Sequence, residues 1–148
     1  MRYYGYEEFV DDVKRLVKRT EEYHSDTIVA IARGGWTLGH AYASATENRR
    51  LMSVNSVLYE GEKKGEACTI FNLPNLENSR KILLLDDIVD SGETMREVLF
   101  RFKEKYPHIT IKTASIYYKK SALIEPDFWL REAKEWIDFF WEKDYLLS

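Results

Sequence analysis

Residues 82–95, ILLLDDIVDSGETM, constrain this chain more than any other stretch. Four consecutive aliphatic residues, Ile82 to Leu85, predict a strand buried on both faces, because a strand with one wet face would alternate apolar and polar positions. The run leads directly into the adjacent acids Asp86 and Asp87 and a third at Asp90. Ser91-Gly92-Glu93-Thr94 then precedes a helical pattern. Adjacent carboxylates repel each other, and a glycine loop carries an entropic cost. Such a sequence calls for something bound where strand gives way to helix.

The flanking sequence supplies the rest of a layered fold. Tyr6, Phe9, Val10, Val13, Leu16, Val17 and Tyr23 recur at helical spacing and predict an amphipathic helix over 6–23. DTIVAIA (26–32) predicts a buried strand stopped by Gly34-Gly35, followed by a helix over 36–48 and a strand over 51–59. Residues 60–80 are irregular, with ACTIF as a short strand among them. An irregular stretch of that length inside a compact domain is a functional loop or a disordered one. KILLLDD (81–87) returns to a buried strand. A helix follows over 93–106, with Met95, Val98, Leu99, Phe102 and Tyr106 on one face and Pro107 as its stop. HITIKTASIYY (108–118) predicts another strand, and the aromatic tail at 127–147 predicts short strands or helix. This alternation predicts an α/β fold: a single domain over 1–148, its mostly parallel, twisted sheet flanked by helices.

Charge and cysteine content exclude several function classes. The 22 basic and 25 acidic residues leave a net charge of −3, without the basic footprint of a nucleic-acid or membrane-surface binder. The lone cysteine, Cys68, allows neither an internal disulfide nor a cysteine-built zinc site. No apolar stretch resembles a signal peptide or reaches the length of a membrane span. The expectation is a cytoplasmic protein with no nucleic-acid and no membrane partner.

In open α/β sheets, ligands sit outside the carboxyl ends of the strands, and two predicted strands here end in anion-binding chemistry. In IARGGW, Arg33 offers a fixed guanidinium fork, while Gly34 and Gly35 let backbone amides approach an anion closely. In DSGET, Gly92 permits a tight turn. The free amides and positive dipole end of the next helix join the Ser91 and Thr94 hydroxyls in a phosphate cradle. Together the motifs suggest a ligand with two separate phosphate groups. Asp86 and Asp87 beside them can accept hydrogen bonds from sugar hydroxyls or hold a divalent cation through water. Phosphate, diol, metal and second phosphate describe an activated sugar phosphate. The bland alternatives are a plain Arg-Gly-Gly turn and an acidic pair that merely caps a strand. A Walker-B strand would need a glycine-rich loop ending in Lys-Ser or Lys-Thr, which is missing from the sequence. His24, His40 and His108 lack metal-ligand spacing, and Lys119-Lys120 alone reads as a solvated strand end.

ILLLDDIVDSGETM resembles the signature of the type I phosphoribosyltransferases, IARGGW resembles that family's pyrophosphate loop, and EWIDFFWE after ASIYYKK is similar to the purine-binding end of its 6-oxopurine members, above all bacterial xanthine-guanine phosphoribosyltransferases. The resemblance spans about residues 27–142. It implies purine salvage: ribosyl transfer from phosphoribosyl pyrophosphate (PRPP) to guanine, xanthine or hypoxanthine, with Mg²⁺ as cofactor, in a homodimer or homotetramer. The alternatives are a phosphoribosyltransferase for another base and a non-catalytic PRPP-binding regulator. By the resemblance, Asp86 and Asp87 contact the ribose hydroxyls, Asp90, Ser91, Gly92, Glu93 and Thr94 hold the 5′-phosphate, and Ala32, Arg33 and Gly34 form the pyrophosphate loop, where members often have a cis peptide. Asp90 is also the implied general base. Lys119 is implied to donate to the oxygen at C6, Trp136 to stack on the base and Ile137 to meet its edge. Asp86, Asp87 and Glu142 are the implied metal-site acids. Residues 59–80 are implied to be a mobile hood and 121–148 the base-binding segment. Two departures stand out. Leu58-Tyr59 replaces the family's usual Ser-Tyr at the start of the hood, and Glu93 puts a negative charge in the phosphate loop.

Overall fold

The computed structural model describes residues 1–58 and 68–148. Its elements in chain order are β1 (Arg2–Tyr4), α1 (Tyr6–Thr20), β2 (Thr27–Ala32), α2 (Trp36–Ala45), β3 (Leu51–Leu58), β4 (Cys68–Phe71), β5 (Lys81–Val89), α3 (Glu93–Lys105), β6 (Thr110–Tyr118), β7 (Phe128–Glu132), β8 (Ile137–Phe139) and α4 (Phe140–Lys143). Six strands form one sheet in the order β4-β3-β2-β5-β6-β7, parallel except for the edge strand β4. β1 and β8 pair in parallel as a separate ribbon.

The continuous apolar runs are explained by burial on both faces. Ile28, Leu83 and Leu85 join a core with α1 and α2. Val29, Ile31, Ile82 and Leu84, pointing the other way, join a second core with Met95, Val98 and Phe102 of α3. From Ile82 to Leu85 neither face of β5 meets water, so no polar alternation survives in that run.

Several boundaries differ from the sequence expectation, for local reasons. The first helix ends at Thr20, whose hydroxyl donates back to the Leu16 carbonyl at 2.9 Å; a 3₁₀ turn over Glu21–Tyr23 follows. Tyr6, expected on the buried face, is exposed. α2 stops at Ala45 rather than 48, as the Thr46 hydroxyl turns back to Tyr42 O and Glu47 takes a φ of 53°. β5 continues past the expected end at 87 to Val89. The tail is both strand and helix, and β1 had no expected counterpart. Of the expected hood over 59–80, residues 59–67 lie outside the described residues. The remainder is packed: β4 pairs with β3, Leu76 is fully buried, and Ser79 bonds Thr27 between hydroxyls at 2.7 Å. No helix among the described residues is long and apolar enough to cross a membrane.

Candidate active site

From the central pair β2 and β5 the chain departs in opposite directions, β2 through α2 to β3 and β5 through α3 to β6. The crevice at such a switch point is where an open α/β sheet accommodates a ligand. A cleft of about 760 Å³ opens there, lined by the ends of β2, β5 and β6 and by the segment leading into β8 and α4.

The register Ala30↔Leu85 brings Asp86 and Asp87 level with the end of β2. The chain leaves β2 through a cis Ala32–Arg33 peptide. Its turn is tied by Gly35 N–H donating to Ile31 O at 2.8 Å and Trp36 N–H to Arg33 O at 3.1 Å. A Cβ on Gly34 would stand 2.7 Å from Asp87 Oδ2, so any side chain would collide with the acid over which the loop closes.

Asp87 is buried and Asp86 half-buried. Backbone amides serve both carboxylates: Asp87 N–H donates to Asp86 Oδ1 at 2.8 Å and Ile88 N–H to Asp87 Oδ1 at 2.7 Å. Among the described residues, neither forms an ion pair. Burial, then the charge of Asp87, push the Asp86 carboxyl well above the usual range. Burial, with the nearby charge of Glu142 adding to it, lifts Asp87 to about 6. Two carboxylates short of positive charge suit sugar hydroxyls, which donate, or a hard divalent cation. Glu142 lines the same cleft. Even so, among the described residues no group of three or more His, Cys, Asp or Glu side chains is disposed to hold a metal ion. Asp86, Asp87 and Glu142 are therefore no preformed cage. Mg²⁺ suits such a place, because it takes one or two carboxylates and completes its octahedron with water and substrate oxygens.

On the other side of the acids, Gly92 adopts a φ of 84°, a left-handed conformation that costs glycine little. α3 then starts without a side-chain cap. Glu93 N–H reaches Ser91 Oγ at 3.2 Å and Arg96 N–H reaches Gly92 O at 3.1 Å. The amides of Thr94 and Met95 take no protein acceptor among the described residues, and both residues line the cleft. Uncapped amides at a helix N-terminus bind phosphate by geometry and dipole together. Glu93 is not among the cleft-lining residues. The loop's negative residue thus stays off the cleft, its N–H already given to Ser91 Oγ.

At the opposite wall, Lys119 N–H donates to Val89 O at 2.9 Å, fixing the end of β6 beside the loop after β5. Lys119 Nζ stands 3.6 Å from Asp90 Oδ1, with both side chains more than half exposed (54% and 64%). Trp136 is 68% exposed, whereas Phe139 and Trp141 are buried and stacked on each other with centroids 4.6 Å apart. Trp136 Nε1 donates to Asp138 Oδ1 at 3.0 Å, holding the indole at the mouth. Ile137 is buried, lines the cleft and pairs with Arg2 across the ribbon. An exposed indole, a lysine donor and a carboxylate around one opening can sandwich, orient and deprotonate a flat heterocycle.

The structure thus brings Arg33, Gly34, Asp86, Asp87, Asp90, Ser91, Gly92, Thr94, Lys119, Trp136, Ile137 and Glu142 to one cleft. Ser56, Ala133, Lys134 and Glu135 line it as well. Ser56 lies inside an ordinary-looking strand and carries no motif. Lys134 and Glu135 could have been suspected only as neighbours of Trp136.

A family model for the phosphoribosyl transferase domain matches residues 2–146. Among solved structures, the chain is similar to the Helicobacter pylori xanthine-guanine-hypoxanthine phosphoribosyltransferase, with 36% identity and a TM-score of 0.90 over 97% of this chain and 94% of that one. It is similar to a purine phosphoribosyltransferase from Pyrococcus horikoshii, with 25% identity and a TM-score of 0.81 over 99% and 97% of the two chains. A Staphylococcus aureus hypoxanthine phosphoribosyltransferase, 14% identical, shares the fold with a TM-score of 0.67 over 86% of this chain and 73% of that one.

Proposed function

The chain belongs to the phosphoribosyl transferase family, and on that premise we propose that it transfers the 5-phosphoribosyl group of PRPP to a 6-oxopurine (guanine, xanthine or hypoxanthine), releasing pyrophosphate and a nucleoside monophosphate in purine salvage. The observation that carries this reading is the Lys119–Asp90 pair at 3.6 Å beside exposed Trp136, facing two anion cradles across one cleft.

In this reading the 5′-phosphate sits on the Thr94 and Met95 amides and the Ser91 and Thr94 hydroxyls. The ribose hydroxyls donate to Asp86 and Asp87, and the pyrophosphate lies against Arg33 and the Gly34 backbone. N9 of the base attacks C1 of the ribose, the bond from C1 to the pyrophosphate oxygen breaks, and the base proton passes to Asp90. Lys119 has donors only, so it swings from Asp90 to an oxygen at C6 and has no partner in the amino group of adenine. That swing also releases the Asp90 carboxylate for proton transfer. Asp86 and Asp87 are the oxygen donors that would hold Mg²⁺, with Glu142 on the same cleft, and the bound ion would neutralise charge on the leaving pyrophosphate. The family resemblance supports a cytoplasmic homodimer or homotetramer.

The test is pyrophosphate release from PRPP and Mg²⁺ with guanine, xanthine, hypoxanthine and adenine separately. Turnover with one or more oxopurines and none with adenine is expected. Silence with all four, while PRPP still binds, would point to another acceptor base or to a regulator.

A further inference from the structure

Asp12, in the middle of α1, is fully buried, although Phe9, Val13 and Leu16 make the surrounding helix face apolar. Donors surround its carboxylate. Tyr4 OH reaches Oδ2 at 2.6 Å, Arg131 Nε reaches Oδ2 at 2.8 Å, Arg131 Nη2 reaches Oδ1 at 3.2 Å, and Arg15 Nη1 reaches Oδ1 at 2.9 Å. Glu8 flanks the group, 3.9 Å from Arg131 and 2.8 Å from Arg2, and Arg2 also bonds the Tyr117 hydroxyl. Withdrawing an ion pair from water carries a desolvation penalty, and a well-packed apolar replacement is frequently as stable. A buried network of this kind therefore raises the question of what it fixes.

Its two arms end on either side of the base wall. Arg131 lies in β7, two residues before Ala133. The Tyr4 ring packs edge-on against Phe139 and Trp141, with centroids 5.6 and 5.9 Å away. Between those anchors, residues 133–137 line the cleft and include Trp136. Residues 133–136 belong to no strand. Their backbone is tied by Ala133 N–H to Tyr118 O and by Arg2 N–H to Trp136 O, each at 2.8 Å. One carboxylate is thus the common reference for both ends of the segment that presents the indole.

We infer, on the reading of the cleft proposed above, that Asp12 with Tyr4 and Arg131 is a positioning group, setting where Trp136 and Ile137 stand relative to Asp90 and Lys119 without touching the base. Displacement of a reacting partner by about 1 Å can lower a rate by about 100-fold, so a remote brace can govern catalysis.

Tyr4→Phe removes one hydroxyl and keeps the ring contacts, and Asp12→Asn tests the charge where that variant folds. With folded protein, Tyr4→Phe is expected to raise the KM for the base by about 10-fold, within the range a small misplacement produces, while leaving the KM for PRPP unchanged. Hydrogen exchange, which needs no substrate, should quicken over residues 133–139 and not over 90–95. A lower melting temperature with an unchanged base KM, or equal rises in both KM values, would overturn the brace and leave a purely structural cluster. So would exchange that is unaltered, or that rises evenly along the chain. Wild-type protein silent with every purine would instead refute the base assignment, and the exchange pattern would still decide whether the brace holds the wall.

Discussion

Asp87→Asn should make the ligand-free protein more stable at neutral pH while abolishing its activity. The folded state holds the Asp87 proton up to about 6, against an ordinary value of 3.8, chiefly through burial. At about 1.4 kcal/mol per pKa unit, ionising this group in the folded protein is penalised by at most about 3 kcal/mol. Solvent at the half-buried Asp86 screens the pair and discounts that figure, whereas the easier ionisation of Asp86 beside a neutral neighbour acts in the variant's favour, so a net gain of about 2 kcal/mol is expected. The sign follows from linkage. Below the unfolded pKa both states are protonated, and the proton-linked stability is fully present. As pH rises the unfolded chain releases its proton first, and this stability is lost as pH passes the folded value near 6. The variant does not titrate there, so its advantage should be near zero at about pH 4 and full by about pH 8. The side-chain carbonyl of Asn can still accept the Ile88 N–H that Asp87 Oδ1 takes at 2.7 Å, so the local backbone keeps its partner. Urea unfolding of both proteins at three pH values, without ligand, measures the difference. Acid-sensitive groups common to both, such as Asp26, whose carboxyl accepts backbone amides, cancel. A variant less stable at high pH, or a difference that ignores pH, would refute the account of an unneutralised buried pair. Ligand should reverse the order: PRPP with Mg²⁺ at a hundred times its Kd would stabilise the wild type by about 2.7 kcal/mol and the variant by much less.

Two further substitutions separate the halves of the cleft. Gly34→Ala, whose Cβ would lie 2.7 Å from Asp87 Oδ2, should weaken pyrophosphate binding by about 1–3 kcal/mol, as overpacking does; calorimetry with Mg²⁺-pyrophosphate measures this, and unaltered affinity would show that the loop can move aside. Asp90→Asn should lower kcat by roughly 10²-fold or more while leaving pyrophosphate binding unchanged. Turnover that survives unchanged across pH would remove Asp90 from the proton-transfer role.

The side of the cleft proposed to take phosphate was legible in the sequence because its parts are contiguous. Ile82 to Thr94 runs strand, acids, turn and helix start in one stretch, and the atoms proposed to hold anions are backbone amides whose presentation depends on local residues such as Gly92. The base side was much less so. Trp136 and Lys119 were singled out by resemblance alone, since an aromatic tail and a lysine pair have ordinary structural readings. β1 went unseen because three residues carry no periodicity, and its partner lies at the far end of the chain, with Arg2 opposite Ile137. Asp12 shares the helical spacing of Phe9, Val13 and Leu16, but its partner Arg131 lies 119 residues away, so nothing local in the sequence shows what its charge is for. Tyr6 shows the reverse error: its spacing fits the apolar face, but it begins the helix at the rim, where its ring meets Phe140 edge-on and otherwise faces solvent.

This division has a physical origin that bears on how such a cleft could change its base. An amide at the start of a helix is aimed by one or two torsions, so phosphate recognition is written locally and tolerates substitution elsewhere in the fold. A stacking indole and an edge-reading backbone have to be placed against groups on other strands. Their positions therefore depend on long-range packing: the β1–β8 ribbon, the Phe139–Trp141 stack and the carboxylate that joins Tyr4 to Arg131. Changes in base preference should accordingly arise in residues 133–137 or in what anchors them, with the switch-point cradle unaltered. PRPP affinity should respond instead to Gly34, Asp86, Asp87 and the Asp90–Thr94 turn. If substitutions in the two groups moved both affinities together, the cleft would be a single mechanical unit, and the separation of a local phosphate half from a tertiary base half would fail.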